Sequence, residues 1–96
     1  MDYLKVKWIH CFDSEPVLLY SEMDELRWEV RKVEEFADGH FGFASKERSF
    51  GSTYLGKVPI PALSEISSDP QFEPAVITKM EFEEVWARAT SAPHSV

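Results

Sequence analysis

Three features of this sequence predict an α+β fold: two alternating stretches near the N-terminus, an Asp-Gly pair between apolar runs, and a capped apolar stripe near the C-terminus. Strands that precede helices, rather than alternating with them, mark that class. The expected architecture is a four-stranded, mostly antiparallel sheet in meander order. A C-terminal helix would pack on one of its faces, with one short helix in the connection.

The elements follow in order. Residues 3–10 alternate, with Leu4, Val6 and Trp8 on one face, as a half-buried strand requires. Asp13-Ser14-Glu15-Pro16 is a turn cluster. Residues 16–23 read as a second strand with Val17 and Leu19 on one face, and Asp24-Glu25-Leu26-Arg27 as a short polar connection. Residues 28–36 have mixed parity: Trp28, Val30 and Phe36 agree and Val33 does not, while a helix would bring Val30, Val33 and Ala37 into step. Asp38-Gly39 followed by Phe41-Gly42-Phe43-Ala44 decides for a strand and a hairpin. A two-residue turn there sets Phe36 opposite Phe41 and Val33 opposite Ala44, with Gly39 at positive φ and either a bulge or two-sided burial near Val33.

Residues 46–53 read as loop and 54–61 as extended connection. Pro61 suits the first position of a short helix through Ile66, which Asp69-Pro70 stops. Thr78 and Glu81 form a capping box, and Phe82, Val85, Trp86 and Ala89 follow on one helical face. Phe82 and Trp86 should be buried against the sheet. Residues 1–90 make a single domain and 91–96 a frayed tail.

The 96 residues suffice for one domain, and 44% of them are hydrophobic. Seventeen acids against 10 bases leave a net charge of −7. Such a chain is poorly suited to nucleic acid or to an anionic membrane, both of which require clustered Lys and Arg. The lone Cys11 makes no intramolecular disulfide, residues 1–5 do not read as a secretory signal, and apolar runs stop at four residues. A cytoplasmic protein, monomeric or weakly dimeric, is expected.

No constellation points to catalysis or to a cofactor. His10 and Cys11 are adjacent, so their side chains diverge on a strand end, and the acids around them disfavour a thiolate. His10, His40 and His94 share no metal-ligand spacing. Glu34-Glu35 and Glu83-Glu84 diverge as neighbours do, and read as solvated faces. The acids around the first two connections are more informative: Asp13 and Glu15, then Glu22, Asp24, Glu25 and Glu29, with Trp28 as an aromatic anchor. Meander order places these two connections at opposite ends of the sheet. Trp28, Tyr20 and Tyr54 do not all fit one face by parity, and packing under the 46–61 connection would account for two of them.

The strings Lys5-Val6-Lys7-Trp8-Ile9-His10, Glu15-Pro16-Val17-Leu18-Leu19-Tyr20-Ser21-Glu22, Trp28-Glu29-Val30-Arg31-Lys32-Val33-Glu34 and Asp38-Gly39 carry a resemblance. With Leu55-Gly56, Pro59-Ile60-Pro61, Ile66 and Phe82-Glu83 they extend it over roughly residues 3–88. The chain resembles a family of short bacterial proteins catalogued only as a domain of unknown function. The resemblance implies a bacterial, cytoplasmic, single-domain protein, of a kind found near toxin and immunity genes or on mobile elements. It supplies no catalytic residues.

The expected function is therefore a non-enzymatic acidic domain that occludes a basic protein partner, an immunity-type inhibitor of a toxin being the concrete version. Two alternatives stand: a mobile-element inhibitor of a host defence system, and a small ligand-binding or enzymatic domain using His10 at the sheet end.

Overall fold

The computed structural model describes residues 1–91. Its strands are β1 (Asp2–Trp8), β2 (Leu18–Met23), β3 (Glu29–Glu35), β4 (Phe41–Ser45), β5 (Ser49–Phe50) and β6 (Phe72–Val76), and its helices α1 (Leu63–Ser67) and α2 (Lys79–Ser91). They form one sheet in the order β5-β4-β3-β2-β1-β6, with every neighbouring pair antiparallel. The α+β class, the antiparallel sheet and the C-terminal helix are as expected, but the strands number six, not four. β5, two residues long, is too short to show a period. β6 hides behind Pro74, which the structure accommodates opposite Val6 on the outermost strand.

The first four strands stand in the expected places, and β5 extends the meander. The expected tail begins inside α2 at Ser91, and its remaining residues lie outside the described ones. Among the described residues no helix is long and apolar enough to cross a membrane.

The hairpin between β3 and β4 corrects the expected register. Phe36 N–H donates to His40 O at 3.0 Å and Gly39 N–H to Phe36 O at 2.9 Å, so the loop is the three residues Ala37-Asp38-Gly39. Gly39 takes φ 91° as expected, but as the left-handed residue that closes a three-residue loop. The extra residue slides the pairing by one position, so Val33 faces Phe43 and Glu35 faces Phe41. Val33 thereby joins the core, fully buried.

The bulge expected near Val33 occurs three residues earlier. Glu22 pairs with Arg31 and Met23 with Glu29, which leaves Val30 as the inserted residue. Residues on either side of it thus fall on different faces. Arg31 joins the α2 face, and Glu29 the opposite one beside Ser21.

The main core lies between the sheet and α2: Tyr3, Tyr20, Val33 and Phe43 meet Phe82, Val85 and Ala89. Tyr3 and Phe82 rings lie 5.5 Å apart, and so do Phe43 and Trp86. Trp86 is only half-buried, because Arg31 rather than the sheet covers part of it, with its guanidinium carbon 5.0 Å from the ring centroid. The capping box is formed: Glu81 N–H donates to Thr78 Oγ1 at 3.1 Å, and Thr78 N–H to Glu81 Oε1 at 3.2 Å.

Residues 51–71 cross the other face as a strap. Its helix starts at Leu63 behind an Ala62 cap, two residues later than Pro61 would have set it. Thr53 is buried on this side, donating from Oγ1 to Glu34 Oε1 at 2.6 Å. Gly42 lies so close beneath it that a Cβ would collide with that hydroxyl.

Candidate partner-binding site

The acids singled out in the sequence divide between the two ends of the sheet. Asp13 and Glu15 are exposed on the loop between β1 and β2. Glu22, Asp24, Glu25, Trp28 and Glu29 gather at the other end, around the turn between β2 and β3, where Met1 joins Asp24, Glu25 and Leu26 around a depression of about 370 Å³. One continuous acidic face is not formed.

Two of the second group are engaged inside the fold. Glu22 is 6% exposed and receives Arg31 Nε at 2.6 Å, Arg31 Nη2 at 2.9 Å and the Tyr3 hydroxyl at 2.9 Å. Arg31 also donates to both oxygens of Glu83 on α2, at 3.1 and 2.8 Å, and its guanidinium lies over Phe82. These bonds hold the carboxyls of Glu22 and Glu83 below their ordinary range, chiefly because Arg31 donates to them, and hold Arg31 above its own. Burial, followed by the bond to Glu22, pushes the Tyr3 hydroxyl up. The cluster is an anchor for α2.

Glu29 is engaged on the opposite face. Ser21 Oγ donates to its Oε2 at 2.7 Å, and Gly56 N–H to its Oε1 at 2.7 Å, which ties the strap to β3.

Asp24, Glu25 and Trp28 remain at the surface, on a turn that is held from three sides. Asp24 N–H donates to Trp28 O and Arg27 N–H to Asp24 O, while Asp24 Oδ1 accepts from Leu26 N–H and Trp28 N–H, both at 2.9 Å. Arg27 sits at φ 67°, a left-handed conformation uncommon outside glycine. Its side chain turns onto the strap, with Nε donating to Ile60 O at 2.8 Å and Nη2 to Pro61 O at 2.7 Å, and its own carbonyl accepts from Ile60 N–H. The tip therefore projects Leu26, 74% exposed, and Trp28, 41% exposed, beside Glu25. Val58, between Gly56 and Ile60, adds apolar surface to the same end. Sequence reasoning missed Arg27 as the clamp and Leu26 as an exposed residue, because both lay in a stretch read only as polar connection.

At the other end, His10, Cys11, Phe12 and Asp13 line a depression of about 560 Å³. Phe12 N–H donates to His10 Nδ1 at 2.9 Å, so Nε2 carries the proton it donates to Pro16 O at 2.7 Å. Both ring nitrogens serve the backbone of this loop, and Trp8 packs edge-on against the imidazole at 4.4 Å. Cys11 is an exposed free thiol. Among the described residues no group of three or more His, Cys, Asp or Glu could hold a metal ion.

No curated protein and no solved structure matches the chain. The family model described as a domain of unknown function (DUF6881) matches residues 2–91, and the chain belongs to that family.

Proposed function

We propose that this is a non-enzymatic, acidic protein-binding domain that docks on and occludes a basic protein partner in the cytoplasm of a bacterium, an immunity-type inhibitor being its concrete form. The observation that carries the reading is the turn between β2 and β3: an exposed Trp28 and Leu26 beside Glu25, on a backbone held rigid by Asp24 and Arg27. A rigid aromatic anchor with a charged rim loses little freedom on binding, and the net charge of −7 steers it toward a basic surface. A mobile-element inhibitor of host defence would use the same surface, and the partner's identity separates the two. The depression beside His10 is what favours a ligand-binding reading, but an imidazole committed to Phe12 and Pro16 has no nitrogen free for substrate.

The test is to capture the partner with the intact chain and titrate it at about 50 and 300 mM salt, which changes screening about twofold in length. Trp28→Ala should weaken binding by about 2 kcal/mol or more, and Glu25→Lys should slow association and flatten the salt dependence. Because Glu22 and Glu29 hold the fold together, reversing their charge would not report on the surface. Affinity indifferent to salt, to Trp28→Ala and to Glu25→Lys would overturn the proposal.

A further inference from the structure

The strap stands off the sheet. β1 and β2 are interior strands of that sheet, and α2 covers one face, but among the elements α1 contacts only β6. A groove of about 430 Å³ is left, with Leu4, Val6 and Leu19 as its floor and Ile60, Pro61 and Ile66 as its far wall. That is the size of a site for a small ligand or an inserted side chain. Its wall is hydrogen-bonded at both ends. Arg27 holds the carbonyls of Ile60 and Pro61, while Asp69 accepts Phe72 N–H on its carbonyl and Gln71 N–H on its carboxylate.

The charges lining the groove select its occupant. Glu65 and Asp69 are exposed along it. Its cation, Lys32, already lies 3.8 Å from Glu29 and 3.9 Å from Glu34. An apolar group bearing negative charge would meet a surplus of carboxylates, and one flanked by positive charge would meet partners. We propose that the groove receives an apolar side chain from a basic segment of the protein partner, whose Lys or Arg residues pair with Glu65 and Asp69. The inference rests on the reading of the chain as a binder of a basic protein, and gives that binder a second attachment beside the Trp28 turn.

The probes are two short synthetic amphipathic peptides, one of leucine and lysine, the other of leucine and glutamate, titrated into the intact chain while its methyl NMR shifts are followed. The leucine–lysine peptide should move the methyls of Val6, Leu19 and Ile66, and the leucine–glutamate peptide should not. Leu19→Phe, which extends into the groove, should weaken binding about tenfold or more, and so should Glu65→Gln with Asp69→Asn. Should Leu19→Phe misfold, Ile66→Trp fills the groove from the strap instead. Equal binding of both peptides, no binding of either, or shifts confined to Met1 and Leu26 and insensitive to the filled groove would overturn the inference. Since the Trp28 and Glu25 titration reads a different surface, none of these results decides the broader proposal.

Discussion

The β2–β3 and β3–β4 turns have the same hydrogen-bond pattern and opposite roles. In each, the first residue donates to the carbonyl four positions on and accepts from the amide three positions on: Asp24 with Trp28 and Arg27, Phe36 with His40 and Gly39. In each, an Asp side chain accepts from an amide two residues on, Asp24 from Leu26 and Asp38 from His40. Each closes on a left-handed residue, Gly39 at φ 91° and Arg27 at φ 67°. Gly39 adopts that conformation without steric cost, whereas a residue with a Cβ loses roughly 1–2 kcal/mol there. At Arg27 the cost is offset by its bonds to Ile60 and Pro61. A turn that only reverses the chain takes the residue that fits, and a turn that also holds the strap accepts strain for the sake of a side chain.

The comparison is broken most severely by Arg27→Ala, which keeps the strained backbone and removes the clamp. One part-buried bond from a charged donor contributes roughly 1.5–3 kcal/mol and the exposed one adds little, so a loss of about 2 kcal/mol in urea unfolding is expected, along with shifted Ile60 and Ile66 methyls. Arg27→Gly should recover about 1 kcal/mol of that loss by relieving φ alone. If the two variants unfold together, Arg27 is not strained.

Gly39→Ala should cost roughly 1–2 kcal/mol and leave the strap untouched. Nothing lies within 4 Å of where its Cβ would stand, so the loss would come from the backbone alone. Disturbed groove methyls in this variant would show that the two turns are coupled.

The smallest effect is expected in mild acid. Arg31 holds the carboxyls of Glu22 and Glu83 below their ordinary 4.5, so the native state resists protonating them. Their contribution is fully present above that value and is lost as pH falls through the lower native values. Urea midpoints measured downward from neutrality should fall with pH, and Glu22→Gln should flatten the decline while lowering the neutral midpoint. An unchanged slope in that variant would remove Glu22 from the anchor.

Local signals in the sequence were faithful where a single residue type decides the conformation. The capping box, the stripe from Phe82 to Ala89 and the glycine of the β3–β4 turn were legible for that reason. Counting was not: whether Ala37 belongs to strand or loop shifts every pair by one, and no composition rule assigns it. Residues 72–76 gave no strand reading, and Pro74 is tolerated in that strand because an outer strand has one side that needs no donors. At the site, Glu22 and Glu25 look alike in a charge count, and the bulge at Val30 and the pairing with Arg31 decide which of the neighbouring acids face inward. Arg27 gave no signal, since only a partner more than 30 residues away makes its conformation tolerable.

Pro74 has a consequence for the company the chain keeps. Ile77 N–H donates to Tyr3 O and Ile9 N–H to Gln71 O, so the odd-numbered residues of β6 turn their amides toward β1 and the even-numbered ones turn outward. Phe72 N–H is occupied by Asp69 O, and Pro74 has none to give. Among the described residues of that rim, Val76 supplies the remaining outward amide. A foreign strand laid along β6 would find its ladder broken at the middle rung, which disfavours strand addition at that edge. Recognition along that rim is left to side chains rather than to backbone pairing.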